Sequence, residues 1–151
     1  MKIKDIKVWS ADLGNTKPYT IAFKTVDEVW NAFVEITLDN GITGIGAGNP
    51  SEYVTGESFE QCTEALQEKN IQFLVGRDIR ELNQLTFEVL QKFPKNPAAR
   101  AALDIALYDA FTKHLDVPLV KYLGQKIKSL PTSNTIGIKN VTETLKEAKE
   151  Y

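Results

Sequence analysis

The chain opens on an alternating stretch, Lys2 to Val8, in which Ile3, Ile6 and Val8 are separated by Lys4, Asp5 and Lys7. A pattern of this kind suits a strand with one wet face. The segment Asp12-Leu13-Gly14-Asn15-Thr16-Lys17-Pro18-Tyr19 has no such pattern and is rich in turn formers, so it reads as an irregular loop. Val29 to Leu38 (VWNAFVEITL) is β-branched and aromatic, Asp39-Asn40-Gly41 follows, and Ile42-Thr43-Gly44-Ile45-Gly46 comes next. Two strand-like runs around a turn whose glycine can adopt positive φ make a hairpin. The first third is therefore expected to be a small antiparallel meander of three strands.

From Thr55 the pattern turns helical. Thr55 or Ser58 can cap a helix, and Gln61 follows Ser58 at capping-box spacing, which predicts a helix to about Asn70. A second helix is predicted near Ile79 to Phe93, with Leu82, Leu85, Val89 and Leu90 on one stripe, stopping before Pro94. A third starts at Asn96-Pro97, asparagine as cap and proline at the first helical position, and runs through AARAALDIALYDAFTKHL. Its alanines at 98, 99, 101, 102, 106 and 110 let other backbones come close, so it is expected to be packed on more than one side. A short helix, Pro118 to Leu123, ends at Gly124. Thr132 to Ile138 (TSNTIGI) then reads as a strand, and Asn140-Val141-Thr142-Glu143 opens an amphipathic helix with Asn140 as cap and Glu143 returning to the cap amide. Strand then helix, cut off at Tyr151, has the form of the first unit of a repeating βα fold.

Composition narrows the function. The 151 residues are 42% apolar, 25% charged and 9% aromatic, as in one ordinary globular domain. Eighteen Lys and Arg against twenty Asp and Glu, without a long block of either sign, give no reason to expect nucleic acid or a membrane as partner. The start Met1-Lys2-Ile3-Lys4-Asp5 lacks the apolar stretch of a secretory signal, and no apolar run nears the roughly 18 residues of a membrane span, so a cytoplasmic location is expected. Cys62 is the only cysteine and His114 the only histidine, which excludes an internal disulfide and a cysteine-histidine zinc cluster.

The candidate groups each have a plain structural account. Gly44-Ile45-Gly46-Ala47-Gly48 could offer amides to a phosphate, but Asn49-Pro50 follows where a helix N-terminus would be needed. His114 suits the negative end of its helix, and Cys62 has no positive neighbour to lower its pKa, so it reads as a small buried thiol. Asp104 and Asp109 are five residues apart and about 140° around the helix from each other, which favours caps or bonds to neighbouring loops over a shared ligand. Lys24 follows the turn-rich loop and could meet a carboxylate on a ligand, or be a solvated lysine.

The order of these pieces resembles the N-terminal capping domain of the enolase superfamily, in the muconate-lactonizing subgroup, and within it the dipeptide epimerases. The residues that carry the likeness are Lys17-Pro18-Tyr19 with Ala22 and Lys24-Thr25, Asp39-Asn40-Gly41 with Gly44-Ile45-Gly46, and Val54-Thr55-Gly56-Glu57-Ser58. They continue with Ala101-Ala102-Leu103-Asp104-Ile105-Ala106-Leu107-Tyr108-Asp109, Pro118-Leu119, Leu123-Gly124 and Thr135-Ile136-Gly137-Ile138. The fold class implied is α+β: a cap of three antiparallel strands plus helices over residues 1–130, then the first βα unit of a truncated (β/α) barrel over residues 131–151. A whole barrel takes about 250 residues, so the chain reads as an N-terminal fragment that would be inactive alone.

The resemblance implies 1,1-proton transfer at the α-carbon of a dipeptide's C-terminal residue, between paired lysines and with Mg²⁺ holding the carboxylate. The lysines and the metal ligands are expected beyond Tyr151, so neither a catalytic nor a metal residue is assigned in this chain. By matching, Tyr19 and Lys24 belong to a first specificity loop, Tyr53 and Val54 to a second, and Thr135 to the first barrel strand, facing the pocket. Where the family commonly has arginine this chain has Lys24, a point charge in place of a bidentate grip, still able to attract an acidic side chain as in Ala-Glu from cell-wall peptides. Where the family commonly has Gly-Glu this chain has Gly46-Ala47. The expected partners are a small dipeptide and, as a homo-oligomer, other copies of the chain. Two alternatives stand beside this reading: a cycloisomerase or o-succinylbenzoate synthase of the same subgroup, and a stand-alone binding or assembly module whose apolar faces another chain would cover.

Overall fold

The computed structural model describes residues 1–15, 19–21 and 24–150, with the side chains of Tyr19, Ile21 and Lys24 outside that description. Of the motif residues, Lys17, Pro18 and Ala22 therefore lie outside the described residues, as does Tyr151. Five strands form: β1 (Ile3–Asp12), β2 (Tyr19–Ile21), β3 (Lys24–Val26), β4 (Trp30–Leu38) and β5 (Thr43–Gly48). The helices are α1 (Glu52–Thr55), α2 (Phe59–Ala65), α3 (Glu68–Ile71), α4 (Leu82–Lys92), α5 (Pro97–His114), α6 (Leu119–Tyr122) and α7 (Val141–Ala148). Two compact units result, one of Met1–Ala11 with Trp30–Gln125, the other of Asp12–Val29 with Lys126–Tyr151.

In the first unit β1, β4 and β5 form the expected antiparallel meander, in that order. The predicted turn closes β4 onto β5: Gly41 has φ +87°, and Asn40 Oδ1 accepts from the Ile42 amide at 3.1 Å. Alternation decides which face of β4 is buried, since Ala32, Val34, Ile36 and Leu38 are all fully enclosed. Opposite them on β5 stand glycines, in the register Ala32↔Gly48, Val34↔Gly46 and Ile36↔Gly44. The α5 helix lies on this bare strip, with Ala98, Ala102, Ala106 and Ala110 against the three glycines. It also packs on α2, α4 and α6, which bears out the expectation of neighbours on more than one side. Gly44 to Gly48 is thus a close-packed strand segment, and no anion-binding loop forms from it.

Local expectations fail where side chains intervene. The Ser58–Gln61 capping box forms in both directions, but its helix ends at Ala65, well before Asn70. The Asn70 side-chain amide donates to the Glu64 carbonyl at 2.9 Å and the Gln67 amide reaches the same oxygen at 3.2 Å, so that carbonyl is taken up by a tight turn. Thr55 closes the one-turn helix α1 and caps no helix start; its hydroxyl donates to the Ser51 carbonyl. Asn96 does not cap α5 with its side chain; it donates to the Gln61 carbonyl at 3.3 Å. On α4, Leu82, Leu85 and Val89 are buried as expected, whereas Leu90 is exposed on the flank of the stripe.

The second unit holds a hairpin that the sequence pattern did not reveal, β2 paired antiparallel with β3. Its carboxyl-terminal part is the predicted helix α7, whose Asn140 side chain accepts from the Glu143 amide at 2.9 Å. The predicted strand Thr132 to Ile138 is not assembled as one: among the described residues it shows a single backbone bond, from the Ile138 amide to the Thr20 carbonyl at 2.8 Å. Strand geometry is fixed by a ladder of such bonds to a neighbour, and one bond does not make a ladder.

Candidate functional site

Tyr53 and Val54 stand on α1, whose single turn begins after Ser51 and ends at Gly56 in the left-handed conformation, φ +71°. The Gly56 amide donates to the Glu52 carbonyl at 3.1 Å, a helix ending that glycine permits without a Cβ clash. Both side chains are displayed outward, Tyr53 79% and Val54 78% exposed. Directly behind them Glu57 turns the other way. It is fully buried, and its Oε2 accepts from the Ala98 amide at 2.6 Å, in the first turn of α5. Glu57 takes the capping role expected of Asn96. A carboxylate suits a helix N-terminus, where unpaired amides and the dipole favour negative charge.

Cys62, on the first helix after this turn, is also fully buried. Burial, and then the neighbouring Glu57 charge, push its thiol up to about 12, so the thiolate needed by a nucleophile is suppressed. Its reading as a structural thiol stands. His114 closes α5 at its carboxyl end, as expected. Asp109 bonds to the neighbouring strand: its Oδ2 accepts from the Ile45 amide at 2.9 Å and from Lys113 Nζ at 2.7 Å. Asp104 lies half-buried in a groove of about 550 Å³ beside Thr86, Phe87, Leu90 and Arg100, and burial raises its pKa.

In the second unit the backbone places Tyr19 and Lys24 on the two arms of the β2–β3 hairpin, in the register Tyr19↔Val26 and Ile21↔Lys24. Between them Thr20 and Thr25 face each other, with hydroxyls 3.0 Å apart. The base of the loop is clasped by Asp12, whose Oδ1 accepts from the Gly14 amide at 2.9 Å and the Val29 amide at 2.7 Å. These two bonds hold its carboxyl below the usual range. Thr135 is exposed, three residues before the Ile138 amide that reaches Thr20. Tyr19, Lys24 and Thr135 therefore share one unit, and Tyr53 and Val54 belong to the other.

Sequence reasoning passed over Glu57 and Asp12 as structural anchors. The signal for Asp12 was present, because aspartate two residues before a glycine is the spacing of an Asx turn. For Glu57 the only hint was a lone carboxylate between a helix-ending glycine and a capping serine.

Among the described residues no three His, Cys, Asp or Glu side chains come together as a metal-ligand set. No helix of the described residues is long and apolar enough to cross a membrane. What remains in the first unit is a three-stranded meander packed against an alanine-lined helix, the fold of an N-terminal capping domain. The chain belongs to the mandelate racemase / muconate lactonizing enzyme family, whose N-terminal domain model matches residues 5–124.

Its relatives sharpen the placement. An L-Lys-D/L-Arg epimerase of Methylococcus capsulatus is 49% identical over all 151 residues, and one of Desulforapulum autotrophicum is 51% identical over the same span. The L-Ala-D/L-Glu epimerase of Bacillus subtilis is 28% identical. A crystal structure of the Methylococcus dipeptide epimerase with Mg and the dipeptide L-Arg-D-Lys superimposes with a TM-score of 0.96, covering 99% of this chain. The chain spans 42% of the length of that structure and 42–43% of the two Lys-Arg epimerases.

Proposed function

We propose that this chain is the capping part of a dipeptide epimerase, an isomerase that moves the α-proton of a dipeptide's C-terminal residue from one face to the other. The observation that supports this most is likeness along the whole chain to the Methylococcus enzyme, at 49% identity and a TM-score of 0.96. In this reading residues 1–130 form the cap, residues 131–151 begin a barrel, and Tyr19, Lys24, Tyr53, Val54 and Thr135 meet the dipeptide. The reaction's acid/base and metal-binding groups are then supplied outside these 151 residues, so the chain alone turns over no substrate. No step through Mg²⁺ is assigned to residues of this chain. The cytoplasm is the proposed compartment.

For the substrate we infer a cationic dipeptide, a revision of the acidic one suggested by Lys24. The two relatives near 50% identity are both Lys-Arg epimerases, whereas the Ala-Glu epimerases stand at 28–32%. The test is a dipeptide panel in D₂O with the protein encoded by the complete reading frame, following loss of the α-proton signal by NMR. Exchange should be fastest with Lys-Arg and slower by about tenfold or more with Ala-Glu, a difference of about 1.4 kcal/mol in transition-state binding. Faster exchange on Ala-Glu, together with a rise in its KM on Lys24→Ala, would restore the acidic substrate. No α-proton exchange on any dipeptide would remove the epimerase reading.

A further inference from the structure

We propose that Glu57 is a positioning residue, a buried carboxylate that ties the turn bearing Tyr53 and Val54 to the N-terminus of α5. The inference rests on the reading of Tyr53 and Val54 as groups that meet the substrate. Glu57 is the one buried residue between Glu52 and Glu60, enclosed although Thr55 and Gly56 just before it are exposed. Enclosing a carboxylate is costly unless something offsets the lost water. The offset here is the 2.6 Å bond from the Ala98 amide, a donor that no carbonyl inside α5 can reach. The other oxygen, Oε1, has no hydrogen-bond partner among the described residues and the buried Cys62 thiol lies beside the carboxylate, so the Ala98 amide is the backbone donor that holds the group.

The geometry makes this more than a helix cap. α5 is the 18-residue helix seated backbone to backbone on the β5 glycines, and it offers a rigid reference. Glu57 directly follows Gly56, where α1 ends, and directly precedes Ser58, where the capping box of α2 begins. No intervening residue can absorb slack. Asn96, just before α5, donates to Gln61 on α2 and braces the same corner. Loss of the carboxylate would leave the bonds inside α1, Thr55 to Ser51 and Gly56 to Glu52, without the anchor that holds the turn against α5, so that this single turn opens more often.

Two variants test this. Glu57→Leu keeps roughly the side-chain volume and removes the acceptor; Glu57→Gln keeps an acceptor for the Ala98 amide. In the 151-residue chain, hydrogen exchange at the Thr55 and Gly56 amides should rise about tenfold or more in Glu57→Leu relative to β4 and β5, and stay within about threefold in Glu57→Gln. In the protein from the complete reading frame, Glu57→Leu should raise the dipeptide KM about tenfold with kcat within about threefold, and Glu57→Gln should restore it. Exchange rising uniformly across the sheet, or a loss confined to kcat, would show Glu57 to be a stability residue only and overturn the proposal. If the exchange result holds while the unmodified protein epimerises no dipeptide, the substrate reading fails and the tether stands.

Discussion

The Cβ that Gly46 lacks would sit 2.0 Å from the carbonyl oxygen of Ala102. Gly44 and Gly48 repeat the relationship with Ala106, Ala110 and Ala98, where an added Cβ would come within 2.4 Å of backbone atoms. The match follows from two repeats that nearly coincide. Two residues of strand advance about 6.6 Å and four residues of helix about 6.0 Å, so a glycine at every second position of β5 meets an alanine at every fourth position of α5. The opposing atoms are main chain, which cannot rotate away. Gly46→Ala should therefore destabilise the chain by about 3 kcal/mol or more, at the upper end for overpacking. Ala47→Ser, one residue on and facing away from α5, should change stability by less than about 0.5 kcal/mol. Urea unfolding followed by circular dichroism checks both, and equal effects would contradict the packing account.

Much of this was legible in the sequence, for a physical reason: β4, β5, the turn at Gly41, the Ser58 box and α5 are set by periodicity and caps, which are local signals. The alanine run announced a close approach, and the glycines of β5 turned out to be the surface approached. What stayed hidden depends on contacts distant in sequence. Glu57 caps a helix 41 residues away, and Asp12 clasps an amide 17 residues away, so neither role has a spacing rule to announce it. Thr132 to Ile138 has the composition of a strand but lacks a ladder among the described residues. Of the site residues, Tyr53, Val54 and Thr135 have exposed side chains, and the hairpin register places Tyr19 and Lys24 on opposite arms of one hairpin.

Asp109 shields the outer edge of the sheet. β5 is an edge strand, and its Ile45 amide and Thr43 carbonyl are met by Asp109 and by Lys113 Nζ, the latter at 3.0 Å. An unpaired edge invites another strand, and covering it with side chains is a common remedy. The Asp109 side chain is only 26% exposed, whereas Lys113 is 50% exposed. Asp109→Ala should cost about 1–2 kcal/mol, as for a hydrogen bond to a charged group in partial solvent. Lys113→Ala should cost under about 1 kcal/mol, as for an exposed ion pair. Denaturation midpoints of the two variants give the comparison, and a larger loss from Lys113→Ala would reverse the assignment.

Acid should loosen the first loop through Asp12. The bonds from the Val29 and Gly14 amides favour its charged form, so its folded pKa lies below the 3.8 of an unperturbed aspartate. A group whose pKa is depressed by folding contributes stability above its unfolded pKa and loses it as pH falls through the folded value. The clasp should thus be complete at neutral pH and open only below about pH 4, near the model-peptide value for aspartate. In an NMR titration from pH 6 to pH 2, the Gly14 and Val29 amide shifts should move together with a midpoint below 3.8. In Asp12→Asn, which has no proton to gain there, those two amides should be flat across the same range. A shared midpoint above 3.8 in the unmodified chain, or an unchanged titration in the variant, would assign the transition to another carboxylate and leave Asp12 without the clasping role.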